Sequence, residues 1–97
     1  MATYVVLGNF TDQGIRNVKE SPKRRAAARE LGKKLGVEMK TAYLAMGTYD
    51  LVLIVEAATD EAVAKWTLAT AAKGNVRTTT IKVFPEGDYD KILAAIE

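Results

Sequence analysis

The stretch GTYDLVLIV, residues 47–55, decides the fold of this chain. Its first four residues are typical of a tight turn, because glycine frees the backbone and aspartate bonds to nearby backbone groups. The five residues that follow, in a predicted strand that continues to Ala57, are all apolar without alternation and are rich in β-branched side chains. Such a run predicts a strand that is buried on both faces. We therefore expect the rest of the chain to be arranged around this strand.

Three other segments are predicted to be strands. Residues 4–7 form a second unbroken apolar run, which again indicates a strand in the middle of a sheet. Residues 37–46 and 75–84 alternate between polar and apolar side chains, as expected for edge strands. In the first of these, Met39, Tyr43 and Ala45 are expected to share one face. In the second, the residues expected on one face are Arg77, Thr79, Ile81 and Val83.

Three segments are predicted to be helices, with ends marked by capping residues. The first begins with Ser21 as its cap and Pro22 at its first position, and it ends at Gly36. The second begins with Asp60 as its cap and ends at Gly74, and a short third helix covers residues 89–96. The order of elements is therefore β-α-β-β-α-β followed by a small helix. This order predicts an α+β, ferredoxin-like fold with a four-stranded antiparallel sheet in which the first and third strands are central.

The predicted fold leaves one face of the sheet without a cover. Both long helices pack on the same face, yet the central strands are apolar on both. The second helix is also apolar on two sides, with Val63, Trp66 and Thr70 on one and Ala64, Leu68, Ala71 and Ala72 on the other. A second copy of the chain is the simplest cover, so we expect at least a homodimer.

The composition excludes several kinds of chemistry. The chain has 97 residues, with no cysteine, no histidine and one serine. Disulfides, thiol nucleophiles, serine triads and cysteine- or histidine-bound metals are therefore excluded, and no dense acidic loop could hold magnesium or calcium. No apolar run approaches the ~20 residues that cross a bilayer, and the N-terminus lacks the basic start of a signal peptide. We expect a single cytoplasmic domain, residues 1–97, with no cofactor and no membrane partner.

The charge of the chain is unevenly distributed. Residues 1–49 carry nine basic and four acidic side chains, whereas residues 50–97 carry five and eight. Much of the basic charge lies on the first helix, outside its apolar stripe. We expect a solvated face there rather than a nucleic-acid site, because no aromatic residues are interleaved and no nucleic-acid motif is present. The basic residues in question are Lys19, Lys23, Arg24, Arg25, Arg29, Lys33 and Lys34.

Four motifs together carry a family resemblance: residues 9–14 (NFTDQG), 21–24 (SPKR), 47–50 (GTYD) and 74–78 (GNVRT). In this order and spacing they resemble the GYD-domain family of small prokaryotic proteins. The resemblance implies a dimeric α+β barrel and no assigned activity. The Gly47–Asp50 turn and the strand after it are also similar, more distantly, to the effector-binding domain of Lrp/AsnC-type regulators. That likeness implies oligomers that bind amino acids near the turn. Because no helix-turn-helix precedes the domain, direct regulation of DNA is not expected.

Seven residues are candidates for a ligand site. Gly47, Tyr49 and Asp50 either form a hairpin turn or cradle a ligand by close backbone approach and hydrogen bonds. Glu56 and Arg77 are charged residues in apolar strands. They are exposed, paired structurally, or part of a pocket in which arginine holds a carboxylate or phosphate. The remaining candidates, Asn9 and Thr11, either satisfy loop backbone or line the same cleft.

Three functions follow from these observations. The first is an oligomeric protein, regulatory or sensing, that binds a small anionic molecule near the Gly47–Asp50 turn. The second is a cofactor-independent enzyme of the dimeric α+β barrel type, an oxygenase or isomerase, with Glu56 as general base. The resemblance implies that catalytic relatives often use histidine, and this chain has none, which speaks against the second function. The third is a purely structural, self-assembling protein.

Overall fold

A computed structural model describes all 97 residues of the chain. Its strands β1 to β4 span Ala2–Phe10, Val37–Leu44, Leu51–Ala57 and Val76–Val83. Its helices α1 to α4 span Asp12–Arg16, Ser21–Leu35, Asp60–Ala71 and Glu86–Ala94, and a 3₁₀ turn at Val18–Glu20 lies between α1 and α2. None of these helices combines the length and the apolar character needed to cross a membrane.

The four strands form one antiparallel sheet in the order β2-β3-β1-β4. The central strands are therefore β1 and β3, the two whose sequences are apolar without alternation. Helices α2 and α3 contact each other and the sheet, so that one face of the sheet is covered by helices. The predicted ferredoxin-like α+β fold, with its two edge strands and its short C-terminal helix, is confirmed.

The core lies between the helices and the covered face of the sheet. Its centre is Trp66 of α3, which is 2% exposed and whose indole nitrogen donates a hydrogen bond to the Ala28 carbonyl of α2 at 2.8 Å. This bond ties the two helices together inside the core, where a polar group without a partner would be costly. The core consists of nine buried residues: Tyr4, Val6, Ala28, Val37, Met39, Val55, Ala57, Val63 and Trp66.

The opposite face of the sheet, here called the open face, is not covered by any element of this chain. Strand register places Val5 and Leu7 of β1 next to Val52 and Ile54 of β3 on this face, and all four are half-buried. Helix α4 likewise has no buried residue and packs closely against no other element. Its large apolar side chains, and those near it, remain exposed: Phe84, Tyr89, Ile92, Leu93 and Ile96.

The expectation that Met39, Tyr43 and Ala45 share one face of β2 is wrong. The register between β2 and β3 shifts between Met39 and Thr41, which indicates a β-bulge. A bulge adds one residue to a strand and so reverses which face the later side chains occupy. Met39 is buried against the helices, whereas Tyr43 is 56% exposed, and Ala42 packs against the core in its place.

Two predicted helix N-caps are also wrong, each by one residue. Ser21 already has helical backbone angles, and its hydroxyl accepts a hydrogen bond from Arg24 instead of from the helix backbone. At α3 the cap is Thr59, whose hydroxyl accepts from the Ala62 nitrogen at 3.2 Å. In both cases the cap lies one residue earlier than predicted.

Gly36 is the left-handed C-cap of α2, at a φ of +86°, as predicted. The predicted cap at Gly74 is wrong, because α3 ends at Ala71 with Ala72 as its C-cap, and Gly74, although left-handed at a φ of +89°, lies two residues beyond that cap.

Candidate functional site at the Gly47–Asp50 turn

Asp50 joins the turn to the end of β1. Its carboxylate accepts a hydrogen bond from the Phe10 nitrogen at 2.9 Å, and its own nitrogen donates to the Gly8 carbonyl at 2.9 Å. Its carbonyl accepts from the Ala45 nitrogen at 2.7 Å, which closes the turn. One carboxylate oxygen of Asp50 is thus engaged by backbone, and the residue holds the shape of the loop whatever else it binds.

Gly47 and Asn9 complete the loop around the turn. Gly47 has a φ of +129°, a backbone conformation that side chains with a Cβ rarely adopt. The Asn9 amide, oriented with its nitrogen toward the available acceptors, donates to the Thr48 carbonyl at 3.0 Å. The glycine is therefore required by the backbone, and Asn9 ties the end of β1 to the turn.

The segment after β1 forms helix α1, which the sequence did not predict beyond a turn. Thr11 caps it, since its hydroxyl accepts from the Gly14 nitrogen at 3.0 Å, and the same hydroxyl donates to the Gly74 carbonyl at 2.6 Å. The Thr11 nitrogen donates to the Asn75 carbonyl at 3.0 Å. A Cβ on Gly14 would lie only 1.9 Å from that carbonyl oxygen. We call these contacts between α1 and residues 74–75 the α1 latch.

Arg77 and Tyr49 are the two candidates whose functional groups remain available. Arg77 is exposed, lies on the open face directly opposite Asn9, and forms no ion pair within the chain. Tyr49 is half-buried, and its hydroxyl makes no hydrogen bond within the chain. A guanidinium whose N–H donors are free can bind a carboxylate or phosphate through two parallel hydrogen bonds, in a bidentate pair.

Glu56 lies far from the other candidates. It pairs with Thr3 at one end of β1, whereas Arg77 pairs with Asn9 at the other end. Six residues of strand separate these positions, which is roughly 20 Å at about 3.3 Å per residue. Glu56 therefore cannot pair with Arg77 within one chain, and the structure brings together only the other six candidates.

A second polar cluster, at the opposite end of the covered face, was not predicted from the sequence. The hydroxyl of the buried Tyr4 donates to the Asp60 carboxylate, which also accepts from the Lys82 ammonium at 3.1 Å. The bond to Asp60, together with burial, raises the pKa of Tyr4 to about 12. The bonds from Tyr4 and Lys82 lower the pKa of Asp60. A tyrosine within an apolar strand was the one signal that a buried polar partner would be needed.

No group of three or more acidic side chains comes close enough to hold a metal ion. The polar groups around the Gly47–Asp50 turn are instead mostly backbone groups, and one cationic side chain there, Arg77, has no ion-pair partner.

Residues 4–93 match the GYD domain. The chain belongs to the GYD domain family. The matched residues include β1 from Tyr4 onward, the other three strands and both long helices.

A relative of this GYD domain has a name that describes what it binds. The "glutamine synthetase and cystathionine beta-lyase binding protein" of Thermus thermophilus is 35% identical over 89 residues. The alignment covers 91% of this chain and 94% of the relative. The likeness therefore extends over both proteins almost from end to end.

Solved structures of similar fold include two regulators of Mycobacterium tuberculosis. The feast or famine regulatory protein, complexed with L-methionine, has a TM-score of 0.66 at 19% identity, and the leucine response regulatory protein has 0.65 at 18%. The superposition includes 87% of this chain for the feast or famine protein and 86% for the leucine response protein. It includes 50% of each regulator, so this GYD domain spans half the length of each. A structure from T. thermophilus gives a TM-score of 0.55 at 24% identity, with 87% of this chain covering 94% of it. These similarities show a shared fold.

Proposed function

We propose that this GYD domain is a self-associating regulatory protein that binds a metabolic enzyme and senses a small anionic molecule at the Gly47–Asp50 turn. The observation that carries the proposal is the T. thermophilus relative, which is named for binding two enzymes and aligns with 91% of this chain. The structure supports a binding role rather than catalysis, because the groups suggested for acid–base chemistry are dispersed. Glu56 is roughly 20 Å from Arg77 along the strand, and Asp50 is engaged by backbone.

Self-association is supported by the open face. Half-buried Val5, Leu7, Val52 and Ile54 form a continuous apolar strip across the two central strands. A contiguous apolar patch on a small protein indicates a surface that is normally covered. A second copy of the chain carries the same apolar strip on its own sheet. If the two sheets pack face to face, each strip is buried against the other.

The anionic ligand is supported by Arg77 and Tyr49. Both lie at the end of the chain's sheet where the Gly47–Asp50 turn and the α1 latch meet. The Arg77 guanidinium has no acid to neutralise it, and the Tyr49 hydroxyl has no partner within the chain. An amino acid or another small carboxylate would provide acceptors for both groups.

The enzyme partner is tested by direct binding. Glutamine synthetase and cystathionine β-lyase from the organism that encodes this chain are immobilised separately, and binding of the purified chain is followed by biolayer interferometry. We expect saturable binding to at least one of the two enzymes and none to an unrelated enzyme of similar charge. Absence of binding to both would overturn the enzyme-binding part of the proposal.

The ligand site is tested by a thermal-shift screen of amino acids, other carboxylates and phosphate metabolites. A ligand present at a hundred times its dissociation constant stabilises the folded chain by about 2.7 kcal/mol, a shift that is easily measured. We expect the shift to vanish in Arg77→Gln and to weaken in Tyr49→Phe. The matched control is Lys65→Gln, which removes an exposed charge on α3. A shift that survives Arg77→Gln, or no shift with any compound, would refute the site.

A further inference from the structure

A cavity of about 530 Å³ lies between α2, α3 and the covered face of the sheet. It is on the opposite side of the sheet from Arg77, so it is separate from the ligand site proposed above. The cavity is open to solvent on one side, where exposed Arg25, Leu44 and Lys73 belong to its lining. Ligand sites are typically clefts or cavities of ~300–1,000 Å³, and this volume lies in that range. The large apolar side chains that line it include Val6, Phe10, Met39, Leu51, Leu53 and Trp66.

The cavity exists because the residues that face one another across it are small. Gly8 of β1, Ala28 of α2 and Ala42 of β2 all line it, along with Thr67 and Thr70 of α3. The helices are held at this spacing by the bond from the Trp66 indole to the Ala28 carbonyl. The cavity is therefore built into the way α2 and α3 pack, and it is largely apolar.

One polar atom in its lining lacks a partner. The Thr70 hydroxyl is shielded from solvent and forms no hydrogen bond within the chain. Buried polar groups without a partner are rare in folded proteins, and each calls for an explanation such as an absent ligand. A molecule in the cavity with one hydrogen-bonding group near α3 would satisfy this hydroxyl.

The charged residues that line the cavity are mainly basic. Lys23, Arg24, Arg25 and Lys73 are opposed by the single acid Glu20. Lys23 contacts Glu20 at 3.5 Å, and Arg24 donates to the Asn17 carbonyl at 2.9 Å and to the Ser21 hydroxyl at 3.1 Å. Arg25 and Lys73 have no ion-pair partner in the chain, so the rim of an apolar cavity presents two free positive charges.

We propose that this cavity binds an amphipathic monocarboxylate, with its hydrocarbon body against Trp66, Leu51 and Leu53 and its carboxylate at Arg25 and Lys73. The apolar lining excludes a highly polar metabolite such as a sugar phosphate, because its hydroxyls would lose water without gaining partners. The free basic groups at the rim favour an anion over a neutral hydrocarbon. The site does not depend on the ligand or the enzyme partner proposed above.

The probe for the test is decanoate below its micelle concentration, with decanol as the neutral analogue and acetate as the head group alone. Binding to the full-length chain is measured by titration calorimetry and by the fluorescence of Trp66, the only tryptophan. We expect decanoate to bind with a change in Trp66 emission, decanol to bind more weakly, and acetate not to bind. No heat and no fluorescence change with decanoate would overturn the proposal, as would equal affinity for decanol.

Two variants locate the binding. The double change Arg25→Gln and Lys73→Gln should weaken decanoate binding about tenfold or more, which corresponds to the loss of a charge-assisted hydrogen bond, and leave decanol unaffected. The matched control, Arg29→Gln with Lys65→Gln, removes the same charge outside the cavity and should change nothing. Ala42→Leu fills the cavity and should abolish binding of both probes. Unchanged decanoate binding in either cavity variant would refute the site.

The other candidate occupant is helix α4 of a second copy. Its exposed Ile92 and Leu93 could enter an apolar cavity in a partner chain. Ile92→Asp would then raise decanoate affinity by removing a competitor, and that result would overturn our assignment in favour of α4. We expect decanoate affinity to be the same in Ile92→Asp as in the unaltered chain.

Discussion

Replacing Gly14 with alanine should unfold the α1 latch. An alanine Cβ at this position would lie 1.9 Å from the Asn75 carbonyl oxygen and 2.9 Å from the Asn75 carbonyl carbon. Both atoms belong to backbone, so no side chain can rotate away to make room. The residue 74–75 loop and α1 must therefore separate by more than 1 Å, a minimum set by ordinary van der Waals contact of about 3.5 Å.

The hydrogen bonds of the latch give the size of the effect. Separation breaks the bond from the Thr11 nitrogen to the Asn75 carbonyl and the bond from the Thr11 hydroxyl to the Gly74 carbonyl. It also breaks the bonds from the Gln13 amide to the Lys73 carbonyl and the Asn75 side chain. At ~0.5–1.5 kcal/mol for each of these four bonds, the loss is about 2–6 kcal/mol. Alanine returns up to ~1 kcal/mol through its higher helix propensity, which leaves a net loss of about 1–5 kcal/mol.

The assay is urea unfolding followed by Trp66 fluorescence at fixed protein concentration, so that association contributes equally to every variant. The matched control is Gly87→Ala, the same change within helix α4, where a new Cβ meets nothing within 4 Å. We expect Gly87→Ala to be neutral or slightly stabilising and Gly14→Ala to lower the midpoint clearly. Equal midpoints for the two variants would show that the close approach of Gly14 to Asn75 does not contribute to stability.

Three further predictions follow from the structure. Tyr4→Phe should lower the free energy of unfolding by about 1 kcal/mol at neutral pH. Because the pKa of Asp60 is lowered and that of Tyr4 is raised from 10.0 to about 12, the difference in unfolding free energy between variant and unaltered chain should shrink as pH falls below about 4 and as it rises from 10 to 12. A difference in urea unfolding that stays constant across pH would contradict this. Leu68→Asp, at a side chain 71% exposed on α3, should change the unfolding free energy by less than ~0.5 kcal/mol but reduce any assembly larger than a dimer, which light scattering would show. Changing Arg25, Arg29 and Lys33 to glutamine should leave assembly and stability nearly unaltered, and binding of the unaltered chain to a generic DNA duplex that falls steeply with salt would contradict a solvated basic face.

The strand order of the sheet could be predicted from the sequence because central strands are apolar on both faces, whereas edge strands alternate between polar and apolar residues. A central strand has a neighbour on each side and apolar residues on both faces, and Tyr4–Leu7 and Leu51–Val55 show this directly. The end of α2 at Gly36 was equally predictable, since a left-handed residue after a helix favours glycine. These features depend on local backbone chemistry, which a single sequence contains.

Features that depend on contacts across the fold could not be predicted. The bulge after Met39 leaves no local signal, because the residues on both sides of it are compatible with either phase of the strand. Thr59 and Asp60 are both residue types that cap helices well. In the structure Thr59 is the cap, and the Asp60 carboxylate instead accepts from Tyr4, fifty-six residues away, a contact that local sequence does not reveal. The cavity is likewise defined by small residues on four separate elements, none of which is unusual by itself.

Most polar groups in the motifs that identify the family already form hydrogen bonds within the chain. In NFTDQG, Asn9 bonds to the turn, Thr11 caps α1 and bonds to residue 74, and Gly14 permits contact with Asn75. In GTYD, Asp50 anchors β1. Each of these polar groups already has a partner, so it offers little binding energy to a ligand. The groups with unused hydrogen-bonding capacity are Arg77 and Tyr49 at the turn, and the Thr70 hydroxyl, Arg25 and Lys73 at the cavity. Binding specificity in this GYD domain should therefore depend on these side chains, whereas substitutions at Asn9, Thr11, Gly14 and Asp50 should act mainly through stability.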